Sequence, residues 1–282
     1  MISTIGIVGT GTMGSGIAEV AALAGFKVVM HDVARNALDA ALDRIKHDLN
    51  RSVEKDRITA VTATEAFARI TTDETLAALE PADLVLEAAL EDFDTKRAIF
   101  QKLDALVKPD AIFATNTSSL SVTSLAATVK RSAAVVGMHF FNPPPLMKLV
   151  EVVRAQQTSD ETVAATVELA RKMGKTPVVC KDTPGFIVNR VARPFYGEAL
   201  RLLGEGVASV EVIDSIVKSE GGFKMGPFEL MDLIGIDVNY AVTKSVYEQF
   251  FHEPRFRPHP IQRQMVEAGT LGRKTKRGFY TY

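Results

Sequence analysis

The sequence predicts an α/β protein in which a mostly parallel sheet domain over residues 1–183 is followed by an all-helical C-terminal domain over residues 184–282. Two observations lead there. Through the first part, short β-branched runs alternate with helical patterns, the order that a parallel sheet covered on both faces requires. Beyond Asp182-Thr183-Pro184-Gly185 the strand signals vanish, and apolar residues recur at helical spacing from 186 to 205 and again from 228 to 251.

Taken in order, the strands read as Thr4–Val8, Lys27–His31, Leu84–Glu87, Ile112–Thr115, 134–139 and 149–153, with 177–180 as a seventh. Residues 14–25 read as a helix between the first two strands. Residues 37–53 read as another, because Leu38, Ala41, Leu42, Ile45 and Leu49 fall on one face at helical spacing.

With 46% hydrophobic and 24% charged residues, the chain has the balance of an ordinary globular protein and enough apolar matter for a core. A formal net charge of −1 gives no field that favours nucleic acid or an anionic membrane, so a polyanionic ligand has to be met by local positive groups. Cys180 is the only cysteine, which excludes an intrachain disulfide and a cysteine-cluster metal site; it reads as an inert core thiol. No metal is expected. No stretch approaches ~20 consecutive apolar residues, so no helical membrane span is expected. Strand-like residues begin at Ile2, leaving no room for a signal or transit peptide, and the expected location is the cytoplasm.

Gly9-Thr10-Gly11-Thr12-Met13-Gly14 is a GxGxxG string. It gains meaning from its place, directly after the apolar strand Thr4–Val8 and at the opening of a helix. Gly9 permits a tight turn, Gly11 lets backbone approach a pyrophosphate, and Gly14 lets the helix pack close to the strand. The helix N-terminus adds amide donors and a partial positive charge. The second strand then ends in Asp32, 23 residues after the first glycine, where a carboxylate can accept both ribose hydroxyls of an adenosine. That charge repels a 2′-phosphate and favours NAD over NADP, although Arg35 nearby counts the other way.

Five histidines are present. His47, His252 and His259 lie in charged or proline-rich surroundings and read as surface residues, and His31, beside Asp32, reads as structural. His139 ends an apolar strand and enters the stiff turn Phe140-Phe141-Asn142-Pro143-Pro144-Pro145. At a strand carboxyl end, where such sheets bind ligands, it is either a satisfied core group or a functional one. Glu151 decides between these. It interrupts Leu149-Val150-Glu151-Val152-Val153, and a buried carboxylate is costly without a partner. The proline-rich turn can return the chain so that Glu151 meets His139, fixing the tautomer and making the second imidazole nitrogen a general base.

Asn116-Thr117-Ser118-Ser119 follows another strand end; Ser119 or Ser121 reads as the cap of the next helix, and the remaining polar groups are free to face substrate or nicotinamide. Asn189 sits one helical turn after Pro184-Gly185, either as a helix-surface or interdomain hydrogen-bonding group or as part of a site.

These strings together resemble the 3-hydroxyacyl-CoA dehydrogenase family, most of all its stand-alone bacterial 3-hydroxybutyryl-CoA dehydrogenases. The likeness runs over essentially the whole chain. It is carried by Gly9 to Gly14 with Asp32, Glu87-Ala88-Ala89-Leu90-Glu91, Asn116-Thr117-Ser118-Ser119, His139-Phe140-Phe141-Asn142-Pro143, Leu149-Val150-Glu151-Val152, Pro184-Gly185-Phe186-Ile187-Val188-Asn189-Arg190, Gly226-Pro227-Phe228-Glu229-Leu230 and Gly272-Arg273-Lys274. The resemblance implies a Rossmann-like domain followed by a helical domain that forms a homodimer. It implies His139 as catalytic base, Glu151 as its partner, Ser118 on the substrate oxygen and Asn189 assisting. Glu91, Lys96, Ser118, Asn142 and Lys274 fall where the family contacts NAD or holds its cleft, beside Thr12 and Met13 of the glycine loop. Lys55 matches a coenzyme A-binding lysine, with Arg51 one turn before it. Asp48 departs from the serine that family members often carry upstream of that lysine, and Lys224 departs from the expected Tyr, His or Pro.

The implied reaction interconverts an (S)-3-hydroxyacyl-CoA and a 3-ketoacyl-CoA with NAD, on short chains by preference. Two alternatives stand beside it: an NAD-dependent hydroxy acid or sugar acid dehydrogenase on the same scaffold, and an NAD-binding structural protein whose catalysis has lapsed. Retention of His139, Glu151, Ser118 and Asn189 counts against the last.

Overall fold

The apolar runs of the first half are buried on both faces, the condition for a sheet with helices on either side. The computed structural model describes residues 2–282 and divides into a unit that ends at Thr183 and a second, Pro184–Tyr282. In the first unit β1 (Thr4–Val8), β2 (Lys27–His31), β3 (Ile70–Asp73), β4 (Leu84–Glu87), β5 (Ile112–Thr115), β6 (Val135–Phe140), β7 (Leu149–Arg154) and β8 (Thr176–Lys181) form one sheet. Its order is β3-β2-β1-β4-β5-β6-β7-β8. Neighbours run parallel from β3 across to β6; β7 is antiparallel to β6, and β8 is parallel to β7.

Register places the site. The pairs Val8↔His31, Val8↔Glu87, Glu87↔Thr115 and Thr115↔Gly137 bring five strands level near their carboxyl ends. Gly9, Asp32, Ala88 and Asn116, the residues that follow four of them, therefore share one edge, where open α/β sheets bind ligands.

Helices α1 (Thr12–Leu23), α2 (Arg35–Glu54), α3 (Ala60–Ala68), α4 (Phe93–Leu106), α5 (Val122–Ala126) and α6 (Asp160–Lys172) lie in the connections. Helix α1 starts two residues before the expected position 14, since Gly11 keeps an extended backbone and serves as its N-cap. Along α2, Leu38, Ala41, Ile45 and Leu49 are buried at spacings of three and four, the stripe that packs on the core. Ser121, not Ser119, caps α5, its hydroxyl accepting from Ser124 N at 3.1 Å. Strand β3 was not expected: Ile-Thr-Thr-Asp is short, polar and half-exposed at the sheet edge, so it carries no apolar run.

The second unit holds α7 (Val188–Gly204), α8 (Val210–Ser219), α9 (Pro227–Ile234), α10 (Ile236–Gln249) and α11 (Pro260–Glu267). Among the described residues it has isolated bridges but no strand. Tyr196, Leu200, Ile213, Phe228, Met231 and Ile236 form its core. The helix expected over 228–251 is two helices, because Gly235 takes φ +100°, which a continuing helix does not allow. Two buried carboxylates tie this unit together. Asp214 accepts from Phe228 N and Glu229 N at 2.9 Å, and Asp232 accepts from Phe279 N at 3.0 Å and Tyr280 N at 2.9 Å. Among the described residues, no helix is long and apolar enough to cross a membrane, and no group of three His, Cys, Asp or Glu is placed to hold a metal ion.

Candidate active site

The glycine turn after β1 has the shape of a nucleotide cradle. Gly9 takes φ +90°, and a Cβ there would stand 2.7 Å from Ala88 O and Ala89 N. At Gly14 a Cβ would be 1.9 Å from Gly9 O, so only glycine lets α1 close on the turn. Gly11 is different: nothing lies within 4 Å of an added Cβ, and its backbone faces open space that a pyrophosphate can approach. Thr12 is exposed and Met13 half-buried where α1 opens.

Asp32 is fixed before any ligand arrives. Its Oδ2 accepts from Thr10 N and Thr10 Oγ1, both at 3.0 Å, and its Oδ1 from Ala34 N at 3.3 Å. Arg35 pairs with Asp39 at 3.1 Å on the exposed face of α2. His31 is buried, with Nδ1 3.2 Å from Asp73 O, and burial holds its imidazole below the usual histidine range. These residues fit the adenosine and pyrophosphate of NAD. Thr10 was not singled out from the sequence, where it is merely the free position between two glycines. Arg44 was also missed; its Nη1 donates to Ser15 Oγ at 2.8 Å, lacing α2 to α1.

A second cluster surrounds the ends of β4 and β5. Glu87 is fully buried; its Oε1 accepts from Ala89 N at 2.6 Å and Lys96 Nζ at 2.7 Å, and its Oε2 from Thr115 Oγ1 at 2.7 Å. Lys96 also reaches Glu91 Oε2 at 3.3 Å. Glu91 Oε1 then accepts from Thr117 Oγ1 at 2.6 Å, Ser118 N at 2.8 Å and Ser118 Oγ at 3.3 Å. Burial works against the Glu91 charge, yet Lys96 and these donors hold its carboxyl below the usual range. The predicted Glu91, Lys96 and Ser118 are thus brought together. Their anchor, Glu87, had no role in the sequence reading, although a lone charge ending the apolar run Leu84-Val85-Leu86 is the signal that would have found it.

The third cluster is the imidazole–carboxylate pair. His139 and Glu151 are direct partners across β6 and β7, and Nδ1 lies 2.7 Å from Oε2 with both groups buried. The turn between the strands contains a cis peptide at Asn142-Pro143 and leaves Asn142 exposed. Phe141 stacks obliquely on the imidazole, ring centres 4.6 Å apart. Asn116 Oδ1 accepts from Phe140 N at 2.8 Å, binding the polar turn after β5 to the histidine strand. Burial pushes the Cys180 thiol up to about 12, helped by the charges of Glu151 and Asp182, so it is a poor nucleophile.

The remaining predicted residues stand apart from these clusters or in the other unit. Lys55 caps the end of α2, exposed and about 30 Å along the helix from Arg35, with the exposed Arg51 one turn before it. Asn189 belongs to the first turn of α7 in the second unit, and its carbonyl accepts from Arg193 Nε at 3.2 Å. Lys274, also in the second unit, donates to both Asp237 oxygens at 2.5 and 2.6 Å.

Residues 4–183 match the family model described as 3-hydroxyacyl-CoA dehydrogenase, NAD binding domain, and residues 185–282 match that of the C-terminal domain. The chain is 48% identical over 281 residues to 3-hydroxyadipyl-CoA dehydrogenase of Escherichia coli (strain K12), covering 100% of this chain and 59% of that protein. This chain therefore spans about three fifths of that relative's length. It is 45% identical to 3-hydroxybutyryl-CoA dehydrogenase of Bradyrhizobium diazoefficiens, covering 100% of this chain and 96% of the other. Among solved structures, the (S)-3-hydroxybutyryl-CoA dehydrogenase from Ralstonia eutropha matches with a TM-score of 0.97 and 44% identity, over 100% of this chain and 99% of that one.

Proposed function

Because the chain belongs to the 3-hydroxyacyl-CoA dehydrogenase family, we propose that it interconverts (S)-3-hydroxyacyl-CoA and 3-ketoacyl-CoA thioesters with NAD, on short acyl chains. The observation that carries this reading is the buried His139–Glu151 pair, 2.7 Å apart, on the sheet whose glycine loop and Asp32 suit NAD.

NAD, held by the glycine loop and Asp32, would supply the acceptor for the hydride of carbon 3, so that the C–H electron pair would leave with the hydride and the hydroxyl proton would leave separately to complete the ketone. His139 receives that proton at Nε2 while Nδ1–H donates to Glu151. The Glu151 carboxylate stabilises the imidazolium and holds the ring in the tautomer that makes Nε2 basic. Ser118 donates to the substrate oxygen, and Asn189 has the orienting role that the resemblance implies. General-base assistance of this kind contributes typically ~10²–10⁴ in rate. Gly9, Gly11, Thr12, Met13, Gly14, Asp32, Glu91, Lys96, Asn142 and Lys274 serve the cofactor, and Lys55 and Arg51 the coenzyme A phosphates. The second unit joins two copies into a homodimer; its exposed apolar side chains Val212, Ile216 and Phe223 support that reading.

The test is NADH oxidation against acetoacetyl-CoA, longer 3-ketoacyl-CoAs, 3-oxoadipyl-CoA and free acetoacetate. Acetoacetyl-CoA is expected to be turned over with the highest kcat/KM and free acetoacetate not at all. Equal turnover of the free acid would make the chain a hydroxy acid dehydrogenase. Preference for the 3-oxoadipyl thioester would instead align its substrate with the name of the Escherichia coli relative.

A further inference from the structure

Beneath the turn that joins β6 to β7 lies a lysine to which neither the sequence nor the proposed reaction assigns a role. Lys175, between α6 and β8, is only 9% exposed. Its Nζ donates to Pro144 O at 2.5 Å and to Met147 O at 3.0 Å, and the neighbouring Thr176 N donates to Lys148 O at 2.8 Å. The same turn is braced from the other side by α1. A Cβ on Gly16 would stand 2.9 Å from Pro144 Cδ, so helix and proline are in direct contact.

One helical turn further along α1 is Glu19, 2% exposed, whose Oε2 is buried without a hydrogen-bond partner. Burial pushes its carboxyl up to about 7; Asp48 of α2 adds to this, and Lys175 opposes it. Burial likewise holds the Lys175 ammonium below the usual lysine range, opposed by Glu19. Thus the charged groups that face one another here are Glu19 from α1, Asp48 from α2 and Lys175. Arg44, also on α2, is committed to Ser15.

We propose that Lys175 is a positioning residue for the reaction: its ammonium clamps the carbonyls of Pro144 and Met147 and thereby sets the turn that carries His139 against Glu151. The inference rests on His139 and Glu151 being the reacting pair. The physical case is one of satisfaction and leverage. Carbonyls that lose a buried donor shift to find another, and charged donors hold them more firmly than neutral ones. The turn joins β6 to β7, and a single further pair, Phe140↔Val150, separates it from His139↔Glu151. A displacement of about 1 Å at reacting groups can cost roughly 10²-fold in rate. Glu19, too distant for an ion pair, is the negative charge that helps Lys175 keep its proton.

The experiment measures kcat and KM for oxidation of 3-hydroxybutyryl-CoA by NAD from about pH 6 to about pH 10, spanning the imidazole and lysine ranges. The clamp assigns the alkaline limb to loss of the Lys175 proton, which burial favours. Lys175→Met is expected to lower kcat per folded molecule about 10- to 100-fold on the plateau below the alkaline limb and to abolish that limb, with KM for NAD changed less than about twofold. Glu19→Gln, with an uncharged group of the same shape, is expected to move the alkaline limb to lower pH. A lysine that merely fills space would lower the melting temperature of Lys175→Met and leave kcat per folded molecule unchanged; that result overturns the proposal. Should Lys175→Met not fold, Glu19→Gln decides, and an unmoved alkaline limb overturns it. His139→Gln runs alongside: if it stays active, the reading of the reacting pair fails, whereas an inactive His139→Gln with a normal Lys175→Met overturns the clamp alone.

Discussion

Asp32, proposed to meet the ribose, is a carboxylate held by Thr10 N and Thr10 Oγ1, and Arg35 beside it is turned onto Asp39. Catalytic efficiency with NADH is therefore expected to exceed that with NADPH by at least ~10-fold, a repulsion of ~1.4 kcal/mol. Parallel assays with the two cofactors check it, and equal efficiency would mean that Arg35 leaves Asp39 for the extra phosphate. Glu19 yields a stability prediction. A carboxyl raised on folding from 4.5 to about 7 binds its proton more tightly in the native state. The stability it lends is fully present below about pH 4.5 and is lost as pH rises through about 7, a fall of roughly 3 kcal/mol. Glu19→Gln lacks that fall. Its stability relative to the parent, from urea unfolding, is expected to improve between about pH 5 and about pH 8 by roughly that amount; a constant difference contradicts it. Single residues were legible when their chemistry clashed with their surroundings, as Glu151 does within an apolar strand. Glu19, inside Ile17-Ala18-Glu19-Val20-Ala21, carries the same signal and was passed over. Thr10 gives no such signal, since its value lies in a contact with a residue 22 positions away.

The turns and strand ends explain why some elements were readable and others were not. Strands β1, β2, β4 and β5 are buried runs with clear ends, so composition alone marks them. Strand β3 is recognised only by its pairing with β2, a contact that no local pattern reports. The break between α9 and α10 is likewise invisible to periodicity, because Ile234 and Ile236 both keep the apolar pattern while Gly235 turns the backbone. The glycine loop offers a test at this scale. Gly14→Ala would place a methyl 1.9 Å from Gly9 O, so it is expected to lower the melting temperature and to abolish NADH binding together. Gly11→Ala meets no protein atom within 4 Å and keeps an allowed backbone. It is expected to melt within a few degrees of the parent while binding NADH at least ~10-fold more weakly, about 1.4 kcal/mol. Thermal unfolding with and without NADH separates the two, and a Gly11→Ala protein that binds normally would place the pyrophosphate elsewhere.

On the scale of the whole molecule, the fold class was readable because strand and helix periods alternate up to the Pro184-Gly185 step and only the helical period continues past it. The proline-rich turn after His139 likewise signalled the reversal of direction between β6 and β7, which makes His139 and Glu151 partners across two strands. The reaction proposed for the molecule depends on that pair acting as one unit. The most direct measurement is a double-mutant cycle on kcat, with acetoacetyl-CoA and NADH, for the parent, His139→Gln, Glu151→Gln and the double variant. His139→Gln is expected to lose roughly 10²–10⁴ in kcat with NADH binding intact, and Glu151→Gln to be severely impaired with a shifted pH profile. The double variant is expected to be little worse than the worse single variant, because the second change removes a partner already idle. Fully multiplicative losses, or a His139→Gln enzyme of normal activity, would contradict the account.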